Sequence, residues 1–152
     1  MQKIKIHQRK FALKKGFSLI ELIAVIVILG LLATVVVVNV APFLSRSYFE
    51  KVRSDIAQLE NALELYRFNE STYPTTDQGL EALIKAPQNL KRPSLYPEGG
   101  YIKRLPKDPW GNNYLYLKPG IYSKYDIFTY GADGLEGGSG DQADIGNWNL
   151  EK

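Results

Sequence analysis

The 152-residue chain contains no cysteine. Disulfide frameworks, cysteine-ligated zinc and thiol catalysis are therefore excluded. It has one histidine, His7, in a basic N-terminal stretch. If that stretch is removed, histidine catalysis and histidine-ligated metals go with it. Acids are missing from the first 16 positions, which carry Lys3, Lys5, Arg9, Lys10, Lys14 and Lys15. The formal net charge of +3 rests on them, because the remainder has 13 basic and 16 acidic residues, a net of −3. A general nucleic-acid-binding surface loses its support, since the basic excess is local. The ten tyrosines are spread along the chain and form no stacking stripe of the kind that reads single strands.

A long, mostly apolar run begins at Phe17 and ends at Val38. Eighteen of its 22 residues are apolar. As a helix it spans about 33 Å at ~1.5 Å per residue, close to the hydrocarbon thickness of a bilayer. Valine and isoleucine are imperfect helix formers in water, but lipid forces backbone hydrogen bonds to close internally. The positive charges before the run place residues 1–16 in the cytoplasm and the C-terminal part outside. A secretory signal peptide fits poorly: the run is too long and no small-residue cleavage site follows it.

Glu21 lies five residues into the run. A carboxylate there costs about 2.5–3.5 kcal/mol near the bilayer centre and less near its edge. Either the side chain reaches back to the headgroups, or it pairs with a cation. The span holds no Lys or Arg, and the candidate cation is an α-amino group created by cleavage just before Phe17.

Lys15-Gly16-Phe17-Ser18-Leu19-Ile20-Glu21 resembles the class III leader and cleavage site of type IV pilins and pseudopilins. The resemblance implies that a prepilin peptidase cuts after Gly16 and N-methylates Phe17. It also implies that Glu21 pairs with the Phe17 amine of a neighbouring subunit during assembly. Two buried opposite charges would then compensate each other only in the polymer, and a lone subunit would leave Glu21 unpaired.

Beyond the run, Val52, Ile56, Leu59, Leu63 and Tyr66 recur at alternating spacings of four and three, an amphipathic helical stripe. Its simplest role is core packing. The helix is expected to end near Phe68–Asn69, with a bend or local unwinding around Asn39–Pro42. A short helix is expected over 78–84, capped by Asp77 or Thr76. Residues 86–100 read as an irregular loop. Two strand-like runs follow, 114–117 and 125–130, with a turn at Pro119-Gly120. Trp110 and Trp148 read as packing anchors, and Asp108-Pro109 as a turn.

Three stretches sharpen the resemblance: Tyr73–Leu83, Gly100–Asn112, and Gly131-Ala132-Asp133-Gly134 through Asp144-Ile145-Gly146-Asn147-Trp148. Together they are similar to the major pseudopilin, or G-subunit, family of bacterial type II secretion. That family often carries proline where this chain has Val38; here proline comes four residues later, at Pro42. The implied fold is α+β and pilin-like, with a long N-terminal helix on a small antiparallel sheet. The implied division is a cleaved leader (1–16), a transmembrane assembly helix (17–41), the second half of the helix (42–69) and a periplasmic domain (70–152).

The segment Tyr130–Asp144 places four acids among glycines. Calcium takes six to eight oxygens from carboxylates and carbonyls, and glycine lets carbonyls turn inward. The spacing is not that of an EF-hand, and composition alone fits a solvated turn equally well. The resemblance implies calcium in this loop, with Asp133 and Asp144 as first side-chain ligands, Asp141 next and Glu136 after them. The expected product is a structural subunit rather than an enzyme. Its expected partners are further copies of itself, minor pseudopilins, an inner-membrane assembly platform and the prepilin peptidase. A type IV or competence pilin, and a non-polymerising anchored calcium-binding module or enzyme, remain alternatives.

Overall fold

A computed structural model describes residues 16–151, without the side chains of 35–41. The leader residues up to Lys15 lie outside the described residues. So do the side chains of 39–41, at the expected bend, and those of 35–38, at the end of the expected span. The chain divides into two units at Val40/Ala41, and helix α1 (Leu19–Glu70) contributes to both, with Pro42 inside it.

In the first unit every side chain from Gly16 to Thr34 is exposed. Among the described residues, no helix is long and apolar enough to cross a membrane.

The second unit is built on the amphipathic stripe. Val52, Ile56, Leu59, Leu63 and Tyr66 are all buried, as the spacing predicts. They pack in one core with Leu80, Leu83, Tyr114, Tyr116, Tyr125, Ile127 and Ile145. Burying several such side chains contributes about 1.5–3 kcal/mol each, which is what holds the helix on the sheet. The sheet is antiparallel, in the order β1 (Leu115–Leu117), β2 (Asp126–Thr129) and β3 (Ile145–Gly146). Its register sets Tyr116 opposite Ile127 and Phe128 opposite Gly146. β2 is the central strand and all four of its residues are buried. Strands β1 and β2 coincide with the two expected runs. β3 is only two residues long and carries no alternation from which to read it.

The capping expectation at Thr76 or Asp77 is corrected. The short 3-10 turn Leu80–Leu83 follows Gly79 and has no side-chain cap. The reciprocal pair is Thr75 and Gln78: the Thr75 amide donates to Gln78 Oε1 (2.9 Å), and the Gln78 amide donates to Thr75 Oγ1 (3.3 Å). The Thr-x-x-Gln spacing lets each side chain reach the other's backbone. Thr76 instead exchanges two hydrogen bonds with the Lys118 backbone and so ties this turn to the β1–β2 connection.

Asp108 is buried and sets the turn expected of it. Its Oδ1 accepts from the amides of Trp110 (3.0 Å) and Asn112 (2.7 Å), and its Oδ2 accepts from the Thr129 hydroxyl (2.6 Å). Trp148 stacks on Tyr122 with ring centroids 4.2 Å apart and also meets Phe128. Trp110 meets Tyr48 edge-on at 5.8 Å.

Candidate functional site

Gly16 and Phe17 precede the helix in open backbone. Phe17 is 92 % exposed, and a Cβ on Gly16 would meet nothing within 4 Å. Among the described residues nothing packs against either of them.

Glu21 lies in the first turn of α1. Its Oε2 accepts a hydrogen bond from the Ser18 amide at 2.8 Å. Ser18-x-x-Glu21 has the spacing of a capping box, and the positive end of the helix favours a carboxylate there. Among the described residues its partner is this neutral backbone amide, which does not compensate the charge. The signal was present in the sequence as a serine three residues before the glutamate. Around it, the side chains of Leu19–Leu32 form a continuous exposed apolar surface, apart from Glu21 itself. Monomeric soluble proteins rarely expose such a surface, which marks it as contact with lipid or protein.

The acidic loop turns at glycines with positive φ, among them Gly131, Gly134, Gly137, Gly138 and Gly140. Gly138 is required by space as well. With φ +80°, a Cβ there would stand 2.3 Å from the Gln142 carbonyl oxygen. The loop closes on itself through the Ala132 amide to the Asp141 carbonyl (2.8 Å) and the Asp144 amide to the Gly137 carbonyl (3.2 Å).

The three predicted metal ligands occupy different settings. Asp144 Oδ2 accepts from the Gly137 amide (2.9 Å), while its Oδ1 is buried with no protein hydrogen-bond partner. Asp133 is exposed, and its Oδ1 accepts from the Leu135 amide (3.1 Å). Asp141 is exposed beside Tyr48 and Trp110. Among the described residues no three acidic or histidine side chains converge as a metal cluster. The donor set nevertheless suits a hard cation. A buried carboxylate oxygen without a partner is costly, and a flexible oxygen-rich loop is what calcium uses.

A second charged group lies at the C-terminal end of the helix. Glu64 Oε1 accepts from the Tyr73 hydroxyl (2.6 Å) and from Lys124 Nζ (2.8 Å), and its Oε2 accepts from Arg67 (2.9 Å). The Lys124 hydrogen bond, then that of Tyr73, lowers the Glu64 carboxyl to about 2. No local pattern marks this group, because Lys124 and Glu64 are far apart along the chain.

An exposed apolar helix opening on Gly-Phe-x-x-x-Glu, continued into an amphipathic half that packs on a three-stranded antiparallel sheet, defines a pilin-like subunit. Residues 12–37 match the prokaryotic N-terminal methylation motif, and residues 39–148 match the family described as type II secretion system (T2SS), protein G. Type II secretion system core protein G of Vibrio cholerae is 54% identical over 143 residues, which cover 94% of this chain and 97% of the relative. The protein of the same name from Aeromonas hydrophila is 51% identical over 138 residues, 91% of this chain and 94% of the relative. The crystal structure of the major pseudopilin from the type 2 secretion system of enterohaemorrhagic Escherichia coli superposes with a TM-score of 0.63 at 44% identity. That match covers 72% of this chain and 94% of that one. The chain belongs to the type II secretion system protein G family. This is a family of pseudopilin structural subunits, and membership with the methylation motif implies a membrane-anchored, periplasm-facing component of a pseudopilus.

Proposed function

We propose that this chain is inserted once through the inner membrane with its leader in the cytoplasm, processed, and polymerised into a filament whose growth drives folded proteins across the outer membrane. A prepilin peptidase cuts between Gly16 and Phe17 and methylates the new Phe17 amine. An assembly platform and minor pseudopilins start the filament, and further copies of this chain extend it.

The observation that carries this reading is the single carboxylate on an otherwise apolar exposed helix, next to the Gly16–Phe17 bond. In an isolated chain the Ser18 amide satisfies one oxygen of Glu21. It does not neutralise the charge. The amine of Phe17 from an adjacent subunit would do so, and this gain is available only on assembly. Helix packing of the apolar surfaces supplies the remaining attraction. The test is Glu21→Ala in the native host. Insertion and steady-state amount are expected to stay as in the unsubstituted chain while filaments and export are lost. Normal filaments from Glu21→Ala would refute the pairing.

Calcium would be held by Asp133 and Asp144, with Asp141 as a further carboxylate and loop carbonyls completing the set. It would cross-link the two ends of the acidic loop electrostatically and so hold the domain surface in one conformation. The partnerless Asp144 Oδ1 supports this assignment.

A further inference from the structure

The second unit carries two exposed features that share no residue. The first is the β1–β2 connection, whose tip presents Ile121, 78 % exposed, and Tyr122, 63 % exposed. Such exposure in a loose loop would mean little, but this tip is pinned. Buried Asp126 accepts from the amides of Ile121 (2.6 Å), Tyr122 (3.0 Å) and Ser123 (3.2 Å). The Tyr122 ring also lies against Trp148. The loop is thus held with two large apolar side chains outward, the arrangement of a contact hot spot with its ordering cost already met. It is tied to the C-terminal end of α1 by Lys124 on Glu64 and by Lys118 Nζ on the Thr72 hydroxyl and the Tyr73 carbonyl.

The second feature is an open hollow of about 560 Å³ lined by Tyr48, Phe49, Trp110, Asp141, Gln142 and Ile145. Its walls are aromatic and aliphatic, and its rim is the acidic loop. The tip lies against Trp148, which sits beside Arg53, Ala57 and Glu60, and it is separate from the hollow's lining.

Charge matches the two. Between Trp110 and Tyr125 the only charged residues are Lys118 and Lys124, and between Tyr130 and Asp144 the only charged residues are Asp133, Glu136, Asp141 and Asp144. Lys124 keeps 58% of its side chain exposed. A knob and a hole on different surfaces of one chain can join copies head to tail, and such a contact repeats as an open filament where the rotation between copies does not close a ring.

We infer that the Ile121–Tyr122 tip of one subunit seats in the Tyr48–Phe49–Trp110 hollow of a second copy, with Lys124 facing the second copy's acidic rim. The contact rests on the filament reading above and adds to it a head-to-tail joint between globular domains. The Trp110 and Phe49 rings of the second copy would bury Tyr122.

The absence of cysteine makes the test clean. Tyr122→Cys and Gln142→Cys, placed together in the full chain and oxidised in cells, are expected to give a ladder of cross-linked multimers. Neither single substitution is expected to give one. A double variant that forms filaments but stays uncross-linked overturns the contact while leaving the polymer intact. Absence of filaments from the unsubstituted chain overturns the polymer reading and the contact with it. As a second variant, Ile121→Asp alters only an exposed side chain. It is expected to leave the melting temperature unchanged and to shorten filaments at least tenfold. Filaments of normal length would also overturn the contact.

Discussion

Gly146 offers a sharp test of how the sheet and the C-terminal segment fit. It lies in β3 opposite Phe128 and is buried. A Cβ built there would stand 2.2 Å from Trp148 Cζ3, 2.4 Å from Cη2 and 2.6 Å from Cε3. Real Cβ atoms do not approach so closely, so Gly146→Ala must displace the ring. The ring is not free to swing, because Tyr122 stacks on it at 4.2 Å and Phe128 meets it at 5.7 Å. Overpacking of this kind costs about 1–3 kcal/mol, and each aromatic pair disturbed adds about 0.5–1.5 kcal/mol. A total of about 2 kcal/mol or more lowers the melting temperature of a domain this size by roughly 10 °C or more. The assay is thermal unfolding of the detergent-solubilised chain by near-ultraviolet circular dichroism, where the displaced tryptophan also changes the folded spectrum. In a Trp148→Leu background the same glycine change should cost far less, since the two sites interact directly. Gly146→Ala melting within about 1 °C of the unsubstituted chain would refute the reasoning. Equal costs in both backgrounds would refute it too.

Other outcomes follow from the same structure. Asp133→Ala should lower the melting temperature only with calcium present; at a hundredfold excess over the dissociation constant the ion contributes about 2.7 kcal/mol, and equal losses with calcium and with chelator would remove the metal. Asp144→Asn should abolish the calcium-dependent gain yet cost little in chelator, because it removes the charge from a buried oxygen that no protein group satisfies; a large loss in chelator would contradict this. Glu64 is held down to about 2 from an ordinary 4.5, so its contribution is present above pH 4.5 and lost as pH falls towards 2. With the side chain about 40% exposed, water screens the pairs and the contribution is about 1 kcal/mol; Glu64→Gln should flatten acid unfolding in that window, and an unchanged acid limb would contradict it. Asp108→Ala strips two backbone amides and a buried hydroxyl of their acceptor and should cost about 3 kcal/mol or more, read as a lower urea midpoint.

The helix and two of its strands were legible because each advertises itself by periodicity. The spacing of Val52, Ile56, Leu59, Leu63 and Tyr66 is a helical stripe, and all five are buried. A carboxylate in an apolar run singled out Glu21, and resemblance to the prepilin leader singled out Gly16 and Phe17, within the methylation motif matched at residues 12–37. What escaped was mostly long-range. β3 spans two residues whose place is set by pairing with β2, and no two-residue pattern can announce that. The Thr75–Gln78 pair was local and readable but lost to the stronger capping reputation of Asp77. Asp126 reads as a polar residue inside a strand, and its role in pinning the 121–123 amides is visible only once the turn folds back on it. In the acidic loop, composition indicated an oxygen-rich site, but only the fold buried an oxygen of Asp144 and left Asp133 and Asp141 outside.

The central claim is that Glu21 finds its cation in a processed Phe17 of a neighbouring subunit, and the intact mass and N-terminal sequence of the membrane-extracted protein from its native host test it most directly. A chain beginning at Phe17 and carrying one added methyl group is the predicted result. A chain beginning at Met1, or cut beyond the apolar run, would remove the amine on which the assembly mechanism depends.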